Sequence, residues 1–152
     1  MTEGRKVVAT NRRARHNYEI LDTFEAGMVL KGSEVKSLRA GQVQLKDAYA
    51  TLQDGELWLE NAHIAPYSYA SSGGHDPERK RKLLLHRREI DRLTGKVHEQ
   101  GLTLVPLQIY FVHGLAKIEI ALAKGRHTYD KRRKLVERQQ KREMDRARSH
   151  RR

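Results

Sequence analysis

Lys124, Arg126, His127, Tyr129, Lys131 and Arg132 fall within nine residues of one another. Their types suit one chemistry: cationic side chains neutralise phosphates, while aromatic and imidazole rings stack on unpaired bases. On pattern alone, His127 and Tyr129 serve equally well as packing groups against a preceding strand. Two earlier runs repeat the basic composition, Asn11-Arg12-Arg13-Ala14-Arg15-His16 and Arg79-Lys80-Arg81-Lys82. Glu25 stands beside an expected turn at Glu25-Ala26-Gly27. It reads as a solvated carboxylate, although a carboxylate can also accept hydrogen bonds from base amino and imino groups.

The patterns that carry catalysis do not assemble. Histidines stand at 16, 63, 75, 86, 98, 113, 127 and 150. None forms a His-x-x-x-His pair, and zinc needs three or four converging ligands, so no metal is expected. Gly73-Gly74 lacks the Lys-Ser/Thr that completes a phosphate-cradling loop, and no Gly-x-Ser-x-Gly elbow occurs. The acids are scattered, so no nuclease carboxylate cluster is visible before folding. The chain has no cysteine, which removes thiolate ligands, disulfides and a Cys nucleophile together and fits a reducing compartment. No enzymatic role and no cofactor are expected. No apolar run approaches the ~20 residues needed to cross a bilayer, and the N-terminus lacks a signal-peptide hydrophobic region. A cytoplasmic protein without membrane contact is the expectation.

Charge divides the chain. Residues 124–152 hold thirteen Lys/Arg against four Asp/Glu, whereas residues 1–123 hold eighteen against fifteen. Nine of the twelve net positive charges therefore sit in the last 29 residues, which points to an anionic partner. With 152 residues, 38% hydrophobic and 33% charged, the composition supports one core and a solvated tail rather than two cores. The expected division is a flexible N-terminus over 1–10, a folded body over 11–123 and a basic tail over 124–152.

The body must position the basic runs, and its alternation is that of strands. Tyr18, Ile20, Asp22 and Phe24 mark a first strand, and Met28 and Leu30 a second that ends at Gly32. Ser33 is placed to cap a short helix over 34–39 closed by Gly41. A strand through Tyr49, Thr51 and Gln53 meets Asp54-Gly55, a pair that favours a tight hairpin with positive φ, and returns over 56–60. An extended piece follows from Ile64 to Tyr67, then a loop at Ser71-Ser72-Gly73-Gly74. Asp76-Pro77-Glu78 reads as a helix or turn start. Leu83-Leu84-Leu85 precedes a helix from His86 to about Gln100, with Ile90, Leu93 and Val97 on one face and Gly101 at its end. The last hairpin runs from Leu102 to Val112 and from Leu115 to Ala123, turning at His113-Gly114. Ile118, Ile120 and Leu122 face one way, Lys117 and Glu119 the other. Pro106 marks a strand start or a bulge. The sum is mainly β: a small antiparallel barrel of the oligonucleotide-binding (OB) type, with one short and one mid-chain helix. The tail from Asp130 to about Arg148 consists of good helix formers without Gly or Pro. It lacks a continuous apolar stripe, so it is expected to be disordered when free and helical against a polyanion.

Several blocks, taken in order, resemble the SsrA-binding protein (small protein B) family of bacterial ribosome rescue. They are the Asn11–His16 run, Phe24-Glu25-Ala26-Gly27, Glu34-Val35-Lys36-Ser37-Leu38-Arg39-Ala40-Gly41, Asp54-Gly55-Glu56, Arg81-Lys82-Leu83-Leu84-Leu85, Ala123-Lys124-Gly125 and Asp130-Lys131-Arg132. The resemblance implies an OB-type barrel that clasps the tRNA-like domain of transfer-messenger RNA (tmRNA) near its elbow and stands in for the missing anticodon arm. It implies an RNA-binding face with Glu25, Leu84 and His86, a His where some relatives carry Asn. Arg12, Arg13, Arg15, His16, Arg81 and Lys82 are assigned to the same RNA. It further implies contacts of the tail with small-subunit ribosomal RNA, in the decoding centre and the vacant messenger channel, through Lys124, Gly125, His127, Tyr129, Asp130, Lys131 and Arg132. Elongation factor Tu is implied only indirectly, through the aminoacylated RNA, and a monomer is expected on that RNA. Two other readings of the same composition stay open: a constitutive ribosomal protein, and a barrel-fold RNA hydrolase.

Overall fold

A computed structural model describes residues 5–66, 75–125 and 141–142. In chain order the elements are β1 (Arg5–Thr10), α1 (Ala14–Asn17), β2 (Tyr18–Met28), α2 (Gly32–Arg39), β3 (Val43–Gln44), β4 (Tyr49–Gln53), β5 (Glu56–Glu60), β6 (His63–Ile64), β7 (Arg81–Leu84), α3 (Arg87–Gln100), β8 (Thr103–Val112) and β9 (Leu115–Gly125). All the strand pairings are antiparallel. Strands β4, β5, β7, β2, β9 and β8 follow one another around a ring, which closes where Ala50 on β4 pairs with Leu104 on β8. The expected small barrel therefore forms. Closure leaves its six strands few free edges.

Alternation fills the interior. Ile118, Ile120 and Leu122 on β9 meet Leu57, Leu59, Leu83, Leu104 and Ile109 inside the ring. Leu38 on α2 and Leu93 on α3 add to the same core. Burying an aliphatic side chain of this kind stabilises by about 1.5–3 kcal/mol. Where α1 lies against the outside of the wall, alternation fails for a physical reason. Ala14 packs there on Val105, Leu107, Ala121 and Ala123, so β8 and β9 are buried on both faces and read as continuous apolar runs.

Local chemistry explains the joints. Asp54 and Gly55 adopt φ of 53° and 73°, and His113 and Gly114 adopt 50° and 79°, so both expected hairpins turn in the left-handed region. Gly101 ends α3 at φ 61°. Pro106 lies at a bulge, where the register of β8 against β9 slips between Pro106 and Gln108. Asn11 bonds the carbonyls there: its Nδ2 donates to Pro106 O at 3.1 Å and its backbone N–H to Leu107 O at 2.7 Å. That anchors the first basic run to the barrel.

Several expectations are corrected. Residues 5–10 are not flexible: β1 pairs with β8, and Val8 and Ala9 pack against the core. Glu25-Ala26-Gly27 is not a turn but the end of an eleven-residue strand, paired with β9 through Glu25–Glu119 and Gly27–Lys117. No separate strand starts at Met28. Ser33 does not cap α2. Lys31 occupies the cap position, and Glu34 reaches back to accept from the Lys31 N–H at 2.8 Å. Ser33 Oγ instead bonds His75 Nδ1 at 2.8 Å, while His75 Nε2 donates to Ile64 O at 2.9 Å. Asp76-Pro77-Glu78 is a turn, with Asp76 Oδ1 accepting from the Glu78 N–H. Leu83 and Leu84 belong to a strand, and His86 is the cap of α3 rather than its first residue. The four-residue α1 was not expected at all; one turn is too short to show a 3.6-residue period. Lys124 and Gly125 are the last residues of β9, so the strand extends past the expected start of the tail. The loop at 71–74, Tyr67, and the candidates His127, Tyr129, Asp130, Lys131 and Arg132 lie outside the described residues.

Candidate nucleic-acid interface

Successive residues on a strand point to opposite sides, so cross-strand partners share a face. Following the register from β1 to β7 traces one outward row: Val7 opposite Tyr110, Tyr110 opposite Lys117, Lys117 opposite Gly27, Gly27 opposite Leu84. Two residues along lies a second outward row, Gln108 opposite Glu119 and Glu119 opposite Glu25. The five strands that carry this face span about 19 Å at their usual spacing. Lys82, two residues from Leu84 on the same side, extends it to Trp58 on β5.

Glu25 and Leu84, far apart in sequence, are brought together here. Both are about half exposed. Leu84 lies flat over Gly27: a Cβ added at Gly27 would sit 3.4 Å from Leu84 Cβ and 3.7 Å from its Cδ1. An exposed leucine on a polar rim suits apolar contact with a ribose or base face. The Glu25 carboxylate is held from one side. Tyr110 donates its hydroxyl to Glu25 Oε2, the Arg5 guanidinium lies 3.6 Å over the Tyr110 ring, and Arg5 Nη2 stands 3.8 Å from the same Oε2. Burial first, then the hydrogen bond to Glu25, pushes the Tyr110 phenol up to about 12, so it stays protonated and donates near neutrality.

The first basic run joins this face from the side. Arg12, Arg13, Arg15 and His16 are exposed around the buried Ala14. A cleft of about 190 Å³ is lined by Arg12 and Arg15 on one side and by Gln108 and Glu119 on the other. Arg12 and Arg13 also border a cavity of about 290 Å³ beneath Gln44 and Lys46. At the opposite end Lys82 pairs with Glu56 at 3.5 Å. His86 caps α3 in an extended conformation without spending its side chain on the helix. Arg87 ties that end to the β4–β5 hairpin through Gly55 O at 2.7 Å. Lys124 is exposed at the end of β9, opposite Glu19, and Gly125 pairs with Tyr18. Among the described residues no three His, Asp or Glu side chains group to hold a metal, and no helix is long and apolar enough to cross a membrane.

Arg81 does not belong to this surface. Its side chain is wholly buried: Nε donates to Glu34 Oε2 at 2.6 Å, Nη1 to Ala62 O at 2.6 Å and Nη2 to Pro77 O at 3.0 Å. Every nitrogen is committed inside the protein, so none is left for a phosphate. Burial alone would raise the Glu34 carboxyl. Hydrogen bonds from Arg79, the Lys31 backbone and Arg81 together outweigh it and hold the group below its ordinary value. Burial likewise lowers the Arg81 guanidinium, with Glu34 opposing. The network fastens α2 to β7, the strand that presents Lys82 and Leu84. The period of two in Arg81-Lys82-Leu83-Leu84 carries the signal, because Arg81 shares the inward parity of Leu83. Arg5 and Tyr110 are the site residues that sequence reasoning missed: one lay in a segment expected to be flexible, the other in an apolar run that hides its outward parity.

Comparison with known proteins places this geometry. A family model described as "SmpB protein" matches residues 8–150. An SsrA-binding protein of Frankia casuarinae is 58% identical over 144 residues, 95% of this chain and 91% of the relative. One from Desulforudis audaxviator is 57% identical, over 95% of both chains, and one from Mycolicibacterium smegmatis 60%, over 91% and 86%. A chain in a solved structure described as "tmRNA-SmpB: a journey to the center of the bacterial ribosome" is similar with a TM-score of 0.65 and 60% identity, covering 77% of this chain and 82% of that one.

Proposed function

The chain belongs to the SmpB family, and we propose that it is the RNA-binding adaptor of ribosome rescue. It binds the tRNA-like domain of tmRNA and accompanies that RNA to stalled ribosomes. The observation that carries the reading is the outward surface joining Glu25, Gly27 and Leu84 to Arg12 and Arg15, in a chain 57–60% identical to SsrA-binding relatives. The two halves of that surface suit different parts of an RNA. The guanidiniums of Arg12, Arg13 and Arg15, with Lys82, take phosphates. The Glu25 carboxylate takes a donor from a base or ribose, and Leu84 takes an apolar face. His86 borders the same end.

The protein's work in this scheme is binding, with no bond made or broken by its own side chains, and it belongs where ribosomes are, in the cytoplasm. The barrel replaces the missing anticodon arm as a monomer on the RNA. Elongation factor Tu meets it only through the aminoacylated RNA. The basic stretch from Lys124 onward is the ribosome-directed part. Lys124, Gly125, His127, Tyr129, Asp130, Lys131 and Arg132 face small-subunit ribosomal RNA, and the residues beyond them order as a helix in an empty messenger channel. Truncation before Asp130 tests this division. It spares affinity for tmRNA and abolishes tagging of stalled chains; loss of RNA affinity in the truncated protein contradicts it.

A further inference from the structure

Glu25 carries two oxygens in unlike surroundings. Oε2 accepts from the Tyr110 hydroxyl and faces the Arg5 guanidinium at 3.8 Å. Among the described residues Oε1 has no hydrogen-bond partner. The phenol that holds Oε2 is itself fixed: Tyr110 is fully buried and its ring is covered by Arg5 at 3.6 Å. Glu25 thus projects from the barrel at about half exposure with one oxygen held by the Tyr110 hydroxyl. Glu119 lies directly across the strand pair. Like charges placed opposite one another are unfavourable and oppose the approach of a phosphate.

We infer that Tyr110 is the positioning residue for RNA recognition by Glu25, and that Oε1, left open by the clamp, accepts from a neutral donor on the RNA, a ribose 2′-hydroxyl or a base amino or imino group. This rests on the proposed role as a tmRNA adaptor. A carboxylate can only accept, so the group facing it must donate, which excludes a phosphate oxygen. The contribution of the clamp is then nearly independent of salt, unlike that of Arg12 and Arg15. Removing the hydroxyl leaves the carboxylate in place but lets it rotate, so affinity falls by about tenfold while the fold is kept.

The test is a double-mutant cycle on the full-length protein, with a transcript of the tmRNA tRNA-like domain as probe. Tyr110→Phe, Glu25→Gln and the double variant are measured for affinity over a salt series and for thermal midpoint. The inference expects about a tenfold loss for Tyr110→Phe, an unchanged salt slope, a midpoint lowered by no more than a few degrees through the lost buried hydrogen bond, and little further loss when Tyr110→Phe is added to Glu25→Gln. Interference mapping with 2′-deoxy or inosine substitutions along the transcript separates the two donor sources: one substitution weakens the wild type and not Glu25→Gln. If Tyr110→Phe binds as the wild type while Glu25→Gln is impaired, the positioning role is wrong. If its loss persists in full in the Glu25→Gln background, Tyr110 acts elsewhere and the inference also fails. If the wild type shows no preference for the transcript over an unrelated RNA of equal length, it is the adaptor reading that fails, and the inference with it.

Discussion

Arg81 Nε lies 2.6 Å from Glu34 Oε2, and both side chains are wholly buried. This contact joins the first turn of α2 to the start of β7, so the strand that displays Leu84 is held by an ion pair beneath the surface proposed to face RNA. Removing one partner leaves an uncompensated charge in the interior, a loss of about 3–5 kcal/mol. Arg81→Ala is therefore expected to lower the thermal midpoint by roughly 10 °C in a chain of this size. The salt slope of RNA binding, measured on the folded variant, should not move. A lowered slope with an unchanged midpoint would mean that Arg81 reaches phosphate.

The same pair sets an acid limit. The native Glu34 carboxyl titrates below its ordinary value of 4.5. Its stabilising contribution is thus complete above that value and is withdrawn as pH falls through the depressed native one. Acid unfolding followed by circular dichroism should steepen below about pH 4.5. Glu34→Gln should be less stable at neutral pH yet lose less on further acidification. Equal acid sensitivity in the two proteins would place the titrating group elsewhere.

Arg15 offers the opposite profile. It is exposed beside the cleft that leads to Gln108 and Glu119. Arg15→Ala should leave the thermal midpoint within the small range of surface substitutions and lower the log–log salt slope of RNA affinity by about 0.7–0.9. An unchanged slope would remove Arg15 from the phosphate contacts.

Strand β1 is expected to matter for both stability and binding. Val8 and Ala9 pack on the core, and Arg5 covers Tyr110. Deleting residues 1–10 should cost at least about 1–2 kcal/mol from the lost burial of Val8, and should weaken RNA binding as well. A variant as stable as the full chain would contradict the packing of this segment on the core and favour the flexible N-terminus expected from the sequence.

Much of the barrel was legible because its signals are local. Asp54-Gly55 and His113-Gly114 lie at turns whose backbone needs positive φ, and the buried Ile118 and Ile120 alternate with the part-exposed Lys117 and Glu119. What escaped depends on partners distant in sequence. Arg5–Thr10 has no clean alternation, since it adds to β8 through an irregular register between Val7 and Ala9. Gly27 looked like a turn residue, yet it sits within β2, paired across the sheet with Leu84, whose side chain packs beside it. Arg81 looked like one more surface cation because nothing near it in sequence announces Glu34. Glu25 and Leu84 were named through a family resemblance, whereas the Tyr110 and Arg5 that hold Glu25 emerge only from the register of β1, β8 and β9.

Sequencing the RNA that co-purifies with the tagged protein, beside the same preparation from a Glu25→Ala, Leu84→Ala variant, tests the central claim most directly. A single stable RNA with a tRNA-like end should dominate the wild-type sample and be depleted from the variant, whose thermal midpoint stays close to that of the wild type. Ribosomal RNA in stoichiometric amount in both samples, or full recovery of the tRNA-like species by the variant, would contradict it.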